Sequence, residues 1–182
     1  MAPGGTGAVN ISSELNVMAA DSMLGLIQAP EINRSGIDWF NIDAPVKISD
    51  LHGRLGVIAF WVSGCFPCIN TLSVLKTIED EFPDDASVVS IHAPTFPAEP
   101  ASAQLLKVID YHGITLPVAH DIKLELWTSY KINTCPTLII TDPSGKIIGS
   151  LPGEPDPDKL IPGLARMILD WQAGGLFDAG RA

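Results

Sequence analysis

A strand that runs directly into a helix, with two cysteines at the junction, constrains the fold of this chain more than any other feature. Leu55–Val62 is an almost uninterrupted apolar run, which predicts a strand buried on both faces. A Ser-Gly pair ends the strand. From Cys68 to Phe82 the apolar residues recur every three or four positions, which is the period of a helix packed on one side. The junction therefore predicts a mixed α/β fold with this strand near the centre of a sheet.

The other predicted elements alternate in the same way. A second buried strand and a helix come after the first unit, then a short central insertion, and a hairpin and a last helix complete the chain. In chain order they are a predicted N-terminal β-hairpin of 39–42 and 46–49, the strand 87–92, the helix 103–110, the extended segment 114–119, the helix 124–130, a hairpin of 136–141 and 146–150 around the turn 142–145, and the helix 159–171.

Composition supports one folded domain. The chain has 182 residues, of which 46% are hydrophobic and 18% charged, so it can bury a core of single-domain size. We predict a flexible or partly helical leader over residues 1–29, a folded domain over 30–172 and a C-terminal tail over 173–182. The formal net charge is -10, which disfavours nucleic acid and anionic membrane surfaces as partners. No apolar stretch approaches the roughly 18 residues of a membrane span.

The first residues bear on localisation. Residues 1–7 have neither the basic region nor the apolar region of a signal peptide, which predicts a cytoplasmic protein. If a signal segment has been removed, the expected location becomes periplasmic or otherwise extracytoplasmic.

Three cysteines carry the candidate chemistry: Cys65, Cys68 and Cys135. A helix N-terminus stabilises a thiolate, so we expect the pKa of the Cys65 thiol to lie below its free value of about 8.5. The thiolate is the attacking species in disulfide exchange, and a second cysteine three residues later can resolve a mixed disulfide. The spacing thus predicts a dithiol/disulfide redox site. The alternative is a module in which all three thiolates hold copper, zinc or an iron–sulfur cluster.

Several motifs together resemble a known group of proteins. Phe60-Trp61, the Cys65–Cys68 motif with its proline, and Pro136-Thr137 before a hairpin resemble the thioredoxin superfamily. Residues 113–117 are similar to the central insertion of TlpA-like thiol-disulfide oxidoreductases. Within that group, residues 91–96 resemble the thioredoxin-like domains associated with NHL repeats. The resemblance covers roughly residues 30 to 171.

The resemblance implies a fold and a set of roles. The fold would be a thioredoxin-like three-layer α/β/α sandwich with an N-terminal β-hairpin and a central insertion. Cys65 would be the exposed nucleophile and Cys68 the buried resolving cysteine. Pro136 would be a cis-proline facing the disulfide, and Cys135 and Trp61 would line the substrate-binding surface beside it. Such an enzyme needs no cofactor, acts on a protein or small-molecule disulfide, and is recharged by a thiol electron donor.

The chain departs from the family pattern at two positions. Thioredoxins have a buried Asp before the Phe-Trp pair, and this chain has Ala59 there. The residue before the cis-proline is usually Thr, Val or Ile, whereas here it is Cys135, which could be a second resolving thiol, a metal ligand or an inert small residue. A peroxidase of the peroxiredoxin kind would need Thr three positions before the first cysteine, where this chain has Val62.

Two further predictions concern histidines and the direction of electron flow. His92 ends the second buried strand; the main prediction is a structural role, and the alternative is a place near the redox site. His120 is predicted to lie on the surface or in a loop. The residues between the two cysteines add no charge and no histidine, which favours a reductase over a strong oxidant. The predicted function is therefore an enzyme of redox homeostasis, a thiol-disulfide oxidoreductase acting in the reducing direction.

Overall fold

The fold is a six-stranded mixed sheet with helices on both faces. A computed structural model describes residues 27–95 and 101–179. The strands are β1 (Asp38–Phe40), β2 (Leu55–Trp61), β3 (Ala86–His92), β4 (Val118–His120), β5 (Thr137–Thr141) and β6 (Ile147–Pro152). The helices are α1 (Phe66–Glu81), α2 (Ser102–His112), α3 (Glu125–Ser129), α4 (Pro157–Ala173) and α5 (Leu176–Ala179), and a short 3-10 helix covers Ile48–Leu51.

Strand β2 lies inside the sheet, as its apolar sequence predicts. The strand order is β1-β4-β3-β2-β5-β6. Strand β2 pairs in parallel with β3 and antiparallel with β5, and every one of its residues is buried. Both faces of β2 must therefore be covered by other elements, which accounts for its nearly continuous apolar run.

Alternate residues of β2 enter two separate cores. Val57 and Ala59 belong to the core formed with helices α1, α2 and α4. Ile58 and Phe60 belong to the core on the opposite face, which includes Leu126 of α3 and the chain that precedes β2. This alternation follows from the period of two residues along a strand, and it confirms the predicted α/β sandwich.

The predicted N-terminal β-hairpin is wrong. Strand β1 pairs antiparallel with β4 at the sheet edge, and residues 48–51 form the 3-10 helix instead of a returning strand. Asn41, at a φ of 61°, turns the chain away from β1, and its side-chain amide donates to the carbonyl of Ile114 at 2.7 Å. The backbone N–H of Lys47 donates to the Asp50 carboxylate at 2.8 Å, which favours a tight turn over an extended strand.

The second predicted hairpin is confirmed. Strands β5 and β6 pair antiparallel, and the turn between them is organised by Asp142. Its carboxylate accepts hydrogen bonds from the backbone N–H groups of Ser144 and Lys146, each at 2.9 Å. Gly145 occupies a left-handed position with φ of 80°, which suits glycine because it has no Cβ.

The folded part of the chain extends beyond the predicted last helix at both of that helix's ends. Helix α4 begins two residues before the predicted start at Lys159 and contains Pro162. Within the predicted tail, Phe177 is buried and its ring centroid lies 6.1 Å from that of Trp171. Most of the predicted leader and the last residues of the predicted tail lie outside the described residues. In the described part of the chain, no helix combines the length and the apolar character that crossing a membrane requires.

Candidate active site

The junction of β2 and α1 forms the centre of the site. Strand β2 ends at the buried Trp61, and helix α1 begins after Cys65, which is its N-cap residue. Gly64 connects them with φ of 72°, a conformation that is costly for residues with a Cβ. The turn therefore directs the chain from the buried sheet to an exposed helix N-terminus within a few residues.

Cys65 and Cys68 are joined by a disulfide. Their Cα atoms are 5.2 Å apart, within the range usual for such a bond. The Cys65 sulfur accepts a hydrogen bond from the backbone N–H of Cys68 at 3.3 Å. Cys65 is half-buried, whereas Cys68 is fully buried. An attacking disulfide or thiol can therefore reach the first sulfur more readily than the second.

The electrostatic setting of Cys65 favours its thiolate once the disulfide is reduced. The N-terminus of α1 carries the positive end of the helix dipole, and the Cys68 N–H points at the Cys65 sulfur. Pro67 occupies the first turn of the helix, where its missing N–H leaves no helical hydrogen bond unmade. The positive end of the helix dipole and the Cys68 N–H both stabilise a negative charge on a sulfur at this position.

The Cys135–Pro136 segment approaches the same end of the sheet. The peptide bond between these residues is cis, and Cys135 is half-buried. Strand β5 begins at Thr137, which pairs with Phe60 near the end of β2. Because the two strands are antiparallel, Cys135 and Pro136 lie at the end of β2 that leads to Ser63 and Gly64. The Pro136 carbonyl accepts the Gly153 N–H at 2.7 Å.

Trp61 lies beneath this junction. Its side chain is buried, and its ring centroid is 4.7 Å from that of His92, with the two rings edge to face. The predicted site residues Cys65, Cys68 and Trp61 thus belong to one continuous segment, and the Cys135–Pro136 segment reaches the same sheet end through strand pairing.

His92 lies next to the site, as the alternative prediction from its place at a strand end had it. His92 is the last residue of β3 and pairs with Trp61. The Nε2 atom of His92 accepts the backbone N–H of Ser63 at 3.2 Å. Burial, with a further contribution from His120, lowers the pKa of His92 to about 3. The imidazole is therefore neutral at physiological pH. The sequence signal for this role is weak, because His92 is a polar residue at the end of a strand that also contains Ser87 and Ser90.

His120 is buried, so the prediction that it lies on the surface or in a loop is wrong. It is the last residue of β4 and pairs with His92, and their ring centroids are 5.0 Å apart. Pairing on both sides, with β1 and β3, encloses it.

Ala59 leaves the site without the carboxylate that thioredoxins have at this position. Its neighbours in the sheet are Ser90 on β3 and Leu138 on β5, and neither supplies a carboxylate. The buried Asp121 has another use, because its carboxylate accepts the N–H groups of Glu125 and Trp127, both at 2.8 Å.

The alternative of a metal module gains no geometric support. Cys65 and Cys68 are bonded to each other. Across residues 27–95 and 101–179, no three His, Cys, Asp or Glu side chains are grouped as ligands of a metal ion would be.

Comparison with known proteins agrees with this geometry. The family model described as the AhpC/TSA family matches residues 28–150. The chain belongs to the AhpC/TSA family. Within the family, the resemblance to TlpA-like oxidoreductases and to thioredoxin-like domains associated with NHL repeats is confirmed by the following relatives.

The chain is 30% identical over 129 residues to NHL repeat-containing protein 2 of Homo sapiens, covering 69% of this chain and 18% of that protein. It is 27% identical over 132 residues to the thiol-disulfide oxidoreductase ResA of Oceanobacillus iheyensis, covering 72% of this chain and 67% of ResA. Among solved structures, a pneumococcal exposed lipoprotein thioredoxin from Streptococcus pneumoniae is 26% identical with a TM-score of 0.60, covering 66% of this chain and 90% of that one. This AhpC/TSA member therefore spans less than a fifth of the human relative's length, and its fold is thioredoxin-like.

Proposed function

We propose that this protein is a thiol-disulfide oxidoreductase that reduces disulfides, with Cys65 as nucleophile and Cys68 as resolving thiol. The observation that carries the proposal is the difference between the two bonded cysteines. The half-buried Cys65 sits at the N-terminus of α1, and the buried Cys68 lies one helical turn later. The name of the ResA relative, a thiol-disulfide oxidoreductase, supports the same activity.

The proposed reaction is a two-electron exchange. In the reduced protein, the Cys65 thiolate attacks one sulfur of a substrate disulfide, and the substrate's other sulfur leaves as a thiolate that takes up a proton. The Cys68 thiol then loses its proton and attacks the Cys65 sulfur, which releases the second substrate thiol and forms the Cys65–Cys68 disulfide. The substrate has gained two electrons and two protons, and a thiol electron donor restores the dithiol by the reverse exchange.

The substrate would be recognised beside the disulfide. Pro136 and Cys135 lie at the end of β5, and in the family that the motifs resemble, the segment before the cis-proline pairs with an extended substrate chain. Trp61 supports this surface from below. Phe66, next to the nucleophile, is 75% exposed and offers an apolar contact to a protein substrate. These features favour a protein disulfide over a small, strongly charged one.

A redox titration tests the activity and its direction. Trp61 is four residues before Cys65, so its fluorescence should report the state of the disulfide. We would titrate the protein in graded dithiothreitol redox buffers, with Cys65→Ser as the control. A reversible two-electron transition near thioredoxin's roughly -270 mV is the result expected of a reductase. A transition near the roughly -120 mV of a strong oxidant such as DsbA would support the redox site, but it would mean that the protein oxidises its substrate instead of reducing it.

The same titration separates the redox enzyme from the metal module. If no transition occurs, or if the Cys65→Ser protein shows the same one, the redox proposal fails. Metal analysis of protein purified without chelator would then decide whether Cys65, Cys68 and Cys135 bind an ion instead.

The compartment determines the electron donor. In the cytoplasm a soluble thiol donor would keep the pair reduced, whereas an extracytoplasmic form would require a dedicated donor. Trapping thiols in intact cells with an alkylating agent, followed by a mobility shift assay, measures which state prevails. A predominantly reduced pair would support a cytoplasmic location, and a predominantly oxidised pair would support an extracytoplasmic one.

A further inference from the structure

Four strand ends align across the sheet and lead to the disulfide. Asp38 on β1 pairs with His120 on β4, His120 pairs with His92 on β3, and His92 pairs with Trp61 on β2. We call these four residues the strand-end row. Asp38 is exposed, whereas Trp61, His92 and His120 are buried. Buried polar side chains are costly unless their hydrogen bonds are made, so the two imidazoles need a physical account.

Hydrogen bonds within the row define the state of each imidazole. The Ser102 hydroxyl donates to the Asp38 carboxylate at 2.6 Å, and its oxygen lies 3.2 Å from His120 Nδ1. Because the hydroxyl proton is already donated, Ser102 accepts from His120, which therefore carries its proton on Nδ1. His92 receives the Ser63 N–H at Nε2, so a neutral His92 carries its proton on Nδ1 as well.

The acceptor on His92 is aimed at the turn that presents the nucleophile. Ser63 and Gly64 are the only residues between the buried end of the strand segment at Val62 and the helix cap at Cys65. A backbone N–H held by a buried, rigid ring fixes the direction in which this turn leaves the sheet. The ring itself is held by its edge-to-face contacts with Trp61 and His120.

We propose that His92 is a positioning residue for the redox site: its Nε2 holds the Ser63 amide and thereby keeps the Cys65 sulfur at the N-terminus of α1. The inference rests on the thiol-disulfide activity proposed above. Under this inference, His92 is a buried neutral hydrogen-bond acceptor close to Ala59, the position at which thioredoxins have a carboxylate.

The charged and titratable groups around His92 favour a neutral acceptor. His120 faces it from β4, and the carboxylates of Asp38 on β1 and Asp121 after β4 act on His120. The backbone N–H of Asp121 also donates to the His92 carbonyl at 2.9 Å. Burial lowers the pKa of His120, and the two carboxylates oppose this effect. A positive charge on His92 would therefore have to be buried next to another imidazole, and protonation of Nε2 would remove the acceptor that Ser63 uses.

The test is the pH profile of Cys65 alkylation in the reduced protein, with mass spectrometry of the modified peptides to separate Cys65 from the other cysteines. His92→Leu removes the acceptor, and His92→Gln places an amide oxygen near the position of Nε2. His120→Leu is the matched control, because it removes an equally buried imidazole that does not contact Ser63.

We expect His92→Leu to raise the pKa of the Cys65 thiol and to slow its alkylation near pH 6.5 by about three- to tenfold, because the sulfur leaves the helix N-terminus. His92→Gln should restore the rate to within about twofold of the wild type. His120→Leu removes one of the two ring contacts that hold His92 and leaves the acceptor itself in place, so it should lower the melting temperature and shift the Cys65 profile much less than His92→Leu does.

Two results would overturn the proposal: an unchanged or lowered Cys65 pKa in His92→Leu, or an equal shift in His120→Leu. If His92→Leu does not fold, the comparison of His92→Gln with His92→Asn replaces it, because the shorter amide does not reach Ser63. Alkylation requires no turnover, so its outcome is independent of the redox titration. If the wild type is redox-active and the pH profile of Cys65 alkylation is identical in all variants, the positioning role of His92 is refuted and the proposed redox function stands.

Discussion

The two long helices α1 and α4 begin in the same way, yet only one of the starts carries chemistry. Each has a cap residue whose side chain accepts a first-turn N–H, Cys65 from Cys68 and Asp156 from Asp158. Each also has a proline in its first turn. The exposed Asp156 additionally forms an ion pair with Lys159 at 3.2 Å.

The difference lies in the accepting atom and in what precedes it. A carboxylate is a strong acceptor and chemically inert, so the start of α4 serves stability. Sulfur is a weaker acceptor and a good nucleophile, and the turn before α1 is tied to the buried His92. A capped helix N-terminus thus serves chemistry in α1 and stability in α4. The following predictions test this difference in order of decreasing effect.

The largest expected effect is on activity at the start of α1. Cys65→Ser should reduce disulfide reduction to the level of the buffer alone, because the nucleophile is gone. Helix α1 should remain, because serine is a favourable cap residue. An assay of thiol release from a disulfide substrate, together with circular dichroism, measures both. Remaining activity would contradict the assigned nucleophile, and lost helicity would contradict the capping role.

The second effect is on stability in acid and concerns the turn before α1. The pKa of His92 is about 3 in the folded protein and about 6.5 in the unfolded chain. Between these values the unfolded state binds the extra proton. The contribution of His92 to stability is therefore complete above about pH 6.5 and is lost as the pH falls toward 3, by at most about 1.4 kcal/mol per pH unit.

Urea unfolding at a series of pH values measures this loss. The control is His92→Gln, which keeps an acceptor and does not titrate. Its free energy of unfolding should fall less steeply than that of the wild type between pH 6.5 and 3. Parallel curves for the two proteins would mean that His92 is not buried in the neutral form.

The third effect is confined to the start of α4. Asp156→Ala should lower the free energy of unfolding by about 1 kcal/mol, because the Asp158 N–H loses its side-chain acceptor. Asp156→Asn, which keeps an acceptor, should lose much less. The rate of Cys65 alkylation should be the same in all three proteins. A change in that rate would show that the two helix starts are coupled.

The smallest effect comes from the first-turn proline of α4. Pro157→Ala should destabilise the protein by roughly 0.4–1 kcal/mol, mainly because the unfolded chain gains conformational freedom. Thermal unfolding measures the shift, and the redox transition should not move. A larger loss would indicate that the ring of Pro157 makes contacts that matter beyond its effect on the backbone.

Local sequence determined the parts of this protein that need only neighbouring residues. The apolar run of β2, the helical period of α1 and the turn at Asp142–Gly145 each express backbone preferences and burial within one segment. The same is true of the Cys65–Cys68 pair, whose spacing on a helix start brings the two sulfurs together. These features were correctly predicted because no distant residue is required to form them.

Tertiary structure alone decided where the segments meet. The predicted N-terminal hairpin does not form, because the three residues of β1 are too few to specify a partner. Strand β1 pairs instead with β4, at the edge of a sheet that distant strands form. The burial of His120 likewise depends on distant residues, because β1 and β3 pair with its strand on both sides. The strand-end row has no sequence pattern, since its four residues are separated in the chain and are aligned only by the register of hydrogen bonds between strands.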